Sequence, residues 1–363
     1  MNNNRLTAAY LPEKAAVQGD WDVLLPLVPN IITGTAGDDL LNGTIGKDLV
    51  FGYTGNDTIK LNTEGNNADI VFAGSGEDTI YTGSGAVIFA GDDNDAAYIT
   101  NNSFVDLGAG DDVLQSERFT DGHNIILGGD GNDTISTLHP VDLNNPPDGV
   151  SVVPVNDVIY GGEGDDRIDV MGQNFRVKGD AGNDDIMVRL MLLAPSDNGK
   201  IDGGDGDDFI FIANNDAYQV VGQEGTHFEI DGGAGNDMII SSSMGGDTLT
   251  GGEGNDTFFY EWELVSSADD PDVITDFTFN DQEQDKIDLS KMDDLCAYDY
   301  DGKFSNLTFI GYNEFSRQGS EVRLVHTEEG TNVEVIPGTS FYDPVIIQLA
   351  GVTQELTQEA LIL

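Results

Sequence analysis

A glycine–aspartate hexapeptide recurs in register along most of this 363-residue chain, and no other feature limits its possible folds so sharply. Five copies read Gly-Gly-x-Gly-x-Asp: GGDGND at 128–133, GGEGDD at 161–166, GGDGDD at 203–208, GGAGND at 232–237 and GGEGND at 251–256. Four keep the first glycine, the fourth glycine and the aspartate: GTAGDD at 34–39, GTIGKD at 43–48, GYTGND at 52–57 and GDAGND at 179–184. AGSGED at 73–78 and LGAGDD at 107–112 lose only the first glycine, which brings the aspartate-bearing turns to eleven. Two degenerate copies, TGSGAV at 82–87 and AGDDND at 90–95, fill the register between them. Val87 removes the carboxylate from the first, and the second reaches Asp95 without its fourth glycine.

Two residues after each of the eleven aspartates stands an apolar residue: Leu41, Val50, Ile59, Ile80, Leu114, Ile135, Ile168, Ile186, Ile210, Ile239 and Phe258. A second apolar position precedes many turns by two residues, at Ile126, Ile159, Val177, Ile201, Ile230 and Leu249. Each unit therefore reads as short strand, glycine turn, short strand, with one inward side chain per strand. Such a unit cannot bury its apolar face alone and must stack on its neighbours. The fold expected is all-β: a parallel β-roll, or β-solenoid, with a β-rich C-terminal cap.

The turn chemistry points to a cation. Glycine permits positive φ and close backbone approach, so successive carbonyls can turn toward one point, and the aspartate adds a carboxylate there. Hard oxygen ligands of this kind suit Ca²⁺, which takes about 6–8 of them in flexible geometry. One turn offers too few, so each ion would sit between turns of successive coils. The pattern is that of the calcium-binding nonapeptide repeat, and over roughly residues 34–259 the chain resembles the RTX (repeats-in-toxin) family. The resemblance implies nine-residue half-turns with calcium along the edges. The candidate ligands are Asp39, Asp48, Asp57, Asp78, Asp112, Asp133, Asp166, Asp184, Asp208, Asp237 and Asp256, with Gly128, Gly161, Gly179, Gly203, Gly232 and Gly251. Asp39, Asp48 and Asp57 follow at nine-residue steps, which puts successive turns on alternating edges. Wider later spacings, such as 33 residues from Asp133 to Asp166, fit one retained calcium edge opposite loops of variable length. The longest of these, TLHPVDLNNPPDGVSVVPVN at 137–156, is expected to be exposed.

Charge narrows the partners. Asp and Glu number 66 against 15 Lys and Arg, a formal net charge of −51. That balance argues against nucleic acid and against an anionic membrane surface. Disorder would need few apolar residues, yet 39% of the chain is hydrophobic, so a protein that expects cations is the better reading. Cys296 is the only cysteine and cannot form an internal disulfide. No Sec-type signal stands out in residues 1–20, and no apolar run approaches a membrane-spanning length.

The ends differ from the middle. Residues 1–33, with Trp21, Val23, Leu24, Leu25, Ile31 and Ile32, are expected to form a cap or arm. In residues 260–363 the glycine turns stop; DVITDF at 272–277, DKIDLS at 285–290, LTFIG at 307–311, EVRLV at 321–325 and VIIQLAGV at 345–352 resemble the C-terminal region of serralysin-type secreted proteases. The final Glu359-Ala360-Leu361-Ile362-Leu363 is similar to the signal read by type I (ABC-transporter) secretion in that family, and would also serve as a last capping strand. Serralysins precede this module with a zinc protease domain bearing HExxH. Here His123, His139, His227 and His326 lack zinc-ligand spacing, and no catalytic site is expected. The leading expectation is a secreted, extracellular, non-catalytic calcium-binding protein. A surface-layer or adhesive component binding polysaccharide or further copies is the alternative, ahead of a carbohydrate-acting enzyme. Two apolar runs, RLMLLAP at 189–195 and AYQVVG at 217–222, are read as strand or contact patch.

Overall fold

The strand–turn–strand units wind into two parallel sheets in the computed structural model, which describes residues 30–62, 68–116, 122–137, 156–171, 174–189, 199–213, 227–241, 246–260, 269–292, 307–316, 319–336 and 344–363. The first sheet has 16 strands and the second 13, and from Asn30–Thr33 to Lys286–Asp288 consecutive strands of the chain alternate between them. This is the parallel β-solenoid that the repeat predicts. Both apolar positions point inward. Ile126, Ile159, Val177, Ile201, Ile230 and Leu249 stand in register in the first sheet. Leu114, Ile135, Ile168, Ile186, Ile210, Ile239 and Phe258 do so in the second. All are buried in one continuous core, where each aliphatic side chain contributes about 1.5–3 kcal/mol relative to exposure.

The two edges of the solenoid obey different rules. Across the turn edge, nine residues separate one inward side chain from the next, from Ile32–Leu41 through Leu249–Phe258. Across the opposite edge the same count runs from 8, at Ile80–Ile88, to 24, at Ile135–Ile159. After Asp48, whose turn lies on the second edge, the aspartate-bearing turns therefore stay on one edge, while the other takes the degenerate TGSGAV at 82–87 and absorbs the variation. Most of the 137–156 segment, most of 189–195 and all of 217–222 lie outside the described residues, as do Trp21, Val23, Leu24 and Leu25.

The sheets continue without a break past residue 260. Asp272–Ile274 and Lys286–Asp288 pair in parallel with the strands of the preceding coil. Val345–Ala350 adds in parallel beside Asp272–Ile274, and only then do Gly330–Ile336 and Glu321–His326 turn the sheet antiparallel. The second sheet ends on Leu361–Ile362, paired in parallel with Lys286–Asp288. The last residues are thus part of the fold, with Ala360 and Leu361 buried.

The outward rows of the first sheet change character halfway along. In one row Ile31, Leu49, Ile70, Val87, Phe104, Ile125 and Val158 give way to Arg176, Lys200 and Glu229. In the other, Phe51, Phe72, Phe89, Asp106, Leu127 and Tyr160 give way to Lys178, Asp202 and Asp231. Ion pairs Lys178–Asp202 and Lys200–Glu229 lace the charged half.

Candidate metal centre: a column of aspartates

The turn edge stacks its aspartates one above another. The backbone N–H of Asp39 donates to Asp57 Oδ1 at 2.8 Å, Asp57 N–H to Asp78 at 2.7 Å, and Asp78 N–H to Asp95 at 2.7 Å. The same bond continues through Asp112, Asp133, Asp166, Asp184, Asp208, Asp237 and Asp256 to Asp285. A second ladder runs outside it with opposite polarity. There Asn132 N–H donates back to Asp111 Oδ1, Asp165 to Asn132, Asn183 to Asp165 and Asp207 to Asn183. From Asp111 to Asn255 each coil is therefore held to the next by two antiparallel sets of side-chain bonds as well as by the sheets.

One oxygen of each inner carboxylate is thereby satisfied; the other is not. Oδ2 of Asp57, Asp78, Asp95, Asp112, Asp133, Asp166, Asp184, Asp208, Asp237 and Asp256 is buried without a hydrogen-bond partner. A buried carboxylate oxygen left unpaired is costly, so ten in one column demand an explanation. The glycines show where these oxygens point. A Cβ at Gly128, Gly161, Gly179, Gly203 or Gly232 would collide with Oδ2 of the aspartate five residues on and with the next coil's glycine carbonyl. At Gly251 the collision is with Asp256 Oδ2. Carboxylate and carbonyl oxygens thus converge on one spot that only a missing side chain leaves open.

Burial pushes the column's carboxyls up, and neighbouring carboxylates add to it. Asp95 rises to about 8, Asp133, Asp166 and Asp208 to about 7, and Asp78, Asp112, Asp184, Asp237 and Asp256 to about 6. The backbone N–H of the preceding coil pulls each the other way without prevailing. The arrangement is an electrostatic deficit that a divalent cation would cancel.

Two of the eleven aspartates named on sequence differ from the rest. Asp39 Oδ2 accepts from Thr35 N–H at 2.6 Å and from the Thr35 hydroxyl at 2.9 Å. Asp48 stands on the opposite edge, its carboxylate held by Thr44 N–H at 2.7 Å and by the Thr44 hydroxyl at 2.9 Å. Threonine in the second position of GTAGDD and GTIGKD closes these turns internally. Conversely, Asp95 is a full member of the column despite its degenerate turn. Asp285 ends it with both oxygens occupied, by Asp256 N–H at 3.1 Å and Thr278 N–H at 2.6 Å.

The second edge has its own, discontinuous ladder. Asp48 N–H donates to Asp69, Ser103 to Asn124, Asn124 to Asp157, Phe228 to Asp247 and Asp247 to Asp272. Between Asp157 and Asp247 the ladder yields to Phe175 and Phe228, whose rings stack 6.0 Å apart. Gly199 lies between them, and a Cβ there would strike both rings. Among the described residues, no group of three or more His, Cys, Asp or Glu side chains gathers about one point. A cation on the turn edge would therefore draw on carbonyl oxygens as well as on the aspartates.

Backbone strain marks the turns where glycine is missing. In GDAGND, Asp180 takes the second position with φ 75°, a place glycine fills in the five full motifs. A side chain in this region costs roughly 1 kcal/mol or more. Asp180→Gly is expected to raise stability by about 0.5–1 kcal/mol, read as a higher denaturant midpoint at saturating calcium. A lower midpoint would show that the carboxylate itself supports the turn.

A parallel solenoid whose Gly–Asp turns align along one edge is a β-roll. The pattern that defines the peptidase M10 serralysin C-terminal family matches residues 27–362, and the chain belongs to that family. No curated protein matches the chain at a significant level.

Proposed function

We propose that the chain is a secreted calcium-binding β-roll whose ions complete its folding outside the cell, with no catalytic step of its own. The observation that carries this is the run of ten buried, unpartnered Oδ2 atoms on one edge. Asp57, Asp78, Asp95, Asp112, Asp133, Asp166, Asp184, Asp208, Asp237 and Asp256 would hold ions between coils, together with carbonyls such as those of Gly161, Gly179, Gly203, Gly232 and Gly251. Bound Ca²⁺ would supply positive charge and oxygen coordination where the fold leaves carboxylates desolvated and unpaired. Family membership supports the same cation and supports export, the type I (ABC) apparatus taking the C-terminal residues. No helix among the described residues is long and apolar enough to cross a membrane.

Sites of the extracellular class bind with dissociation constants of roughly 10⁻⁴–10⁻³ M, so cytosolic calcium would leave them empty and the chain open for export. Circular dichroism should show disorder in EGTA and β-structure once millimolar Ca²⁺ is added. A native β spectrum in chelator overturns the proposal.

A further inference from the structure

The ten carboxylates with an unpartnered Oδ2 share a backbone signature. In each of their turns the second residue takes a positive φ, from 75° at Asp180 to 132° at Gly91. The rule holds even where that residue is not glycine, as at Tyr53 with φ 82°. Thr35 and Thr44 fill the same position in GTAGDD and GTIGKD without positive φ. A β-branched side chain is a rare outlier in that region, so threonine sends its turn another way. Thr35 N–H and the Thr35 hydroxyl both donate to Asp39 Oδ2, and the hydroxyl accepts from Gly37 N–H at 3.3 Å. Thr44 serves Asp48 alike, its hydroxyl accepting from Gly46 N–H at 3.1 Å. Each hydroxyl thus spends its one proton on the carboxylate and a lone pair on its own turn.

The surroundings of the first turn are otherwise those of the column. A Cβ at Gly34 would meet the Gly52 carbonyl oxygen and Asp39 Oδ2, the same pairing of next-coil carbonyl and turn aspartate found at Gly52 and Gly128. What differs is that Asp39 Oδ2 is already taken. Resting on the calcium reading above, we propose that the second residue of each turn decides whether the turn takes an ion. A positive φ there leaves the carboxylate open to the cation; threonine there is a stop, its N–H and hydroxyl standing in for the metal. The turns at 34–39 and 43–48 then hold no ion, and the cation column begins at Asp57. The strained φ of Tyr53 and Asp180 is on this view what keeps their turns open.

The test counts calcium ions held by the full-length chain, by equilibrium dialysis in millimolar calcium, with the fold verified by circular dichroism. Thr35→Gly makes GTAGDD a full Gly-Gly-x-Gly-x-Asp motif and should add one ion. Asp39→Asn placed on top of it should remove that ion again. Tyr53→Thr should lose at least one ion, whereas Tyr53→Gly should keep the parent's count. Asp39→Asn alone should leave the count unchanged; it reshapes no turn, so it decides the matter where the other variants do not fold. A lower count for Asp39→Asn overturns the proposal, as does an unchanged count for folded Thr35→Gly or folded Tyr53→Thr. A parent that binds no calcium overturns the calcium reading itself, and the stop with it.

Discussion

Alanine at position 208 should raise the calcium concentration for half-folding about tenfold and flatten the transition, whereas alanine at position 39 should barely move either. Asp208 sits in mid-column. Its Oδ1 accepts from Asp184 N–H at 2.8 Å, its own N–H donates to Asp237 at 2.8 Å, and its Oδ2 is one of the unpartnered ten. Removing the carboxylate strands the Asp184 amide, a loss of roughly 1.5–3 kcal/mol for a bond to a charged group, and deletes a candidate ligand besides. In a quasi-one-dimensional stack each coil leans on its neighbours, so both adjoining coils loosen. Asp39 stands in the first motif turn, receives no ladder bond from a preceding coil among the described residues, and already shares its carboxylate with Thr35. Calcium titrations of both variants by circular dichroism, with limited proteolysis to map the loosened coils, make the comparison. Equal shifts would reduce the turns to glycine-rich loops without coupled sites.

Stripped of calcium, the chain should gain β-structure on acidification, the reverse of ordinary acid denaturation. From Asp78 to Asp256 the column's carboxyls are raised from about 3.8 to between about 6 and about 8, chiefly by burial. A group with a raised folded value contributes its full stability below the unfolded value and loses it as pH climbs through the folded one. The loss therefore accrues between about pH 4 and about pH 8. All these groups shift in one direction, so their effects on stability reinforce one another along the column even after solvent screening. In metal-free buffer the β signal at about pH 5 should exceed that at about pH 8, while in millimolar calcium acid should weaken the fold by protonating the ligands. A β signal of the stripped chain that is weaker at about pH 5 than at about pH 8 contradicts the picture.

Most of the column could be read from the sequence because its signal is local: a glycine pair, an aspartate and an apolar residue at fixed offsets. Asp95 was harder to rank, since its turn puts Asp93 at the fourth position with φ 76°, a residue standing in for glycine. Asp285 escaped because DFTFNDQEQD, at 276–285, contains no glycine at all. The second ladder escaped because its segments lack the Gly-Gly-x-Gly-x-Asp spacing, although a subtler mark was present. Asp69, Asn124, Asp157, Asp247 and Asp272 each stand two residues before an inward apolar side chain, at Val71, Ile126, Ile159, Leu249 and Ile274. That is the offset the motif aspartates obey, without the glycine spacing that made them visible. What no pattern could supply was whether each carboxylate is left over or consumed, because the threonines that satisfy Asp39 and Asp48 act through a turn's closed geometry.

The fixed nine-residue count on one edge and the 8-to-24 count on the other make the molecule a ruler with interchangeable attachments. Every connecting segment leaves from the same side, and successive anchor points are about 4.8 Å apart. A segment can be lengthened, shortened or exchanged without disturbing the spine, as the 24-residue step beside two 8-residue steps already demonstrates. Foreign peptides grafted at 138–155 or 214–226 would therefore be displayed side by side, at a pitch set by the backbone rather than by their own sequence.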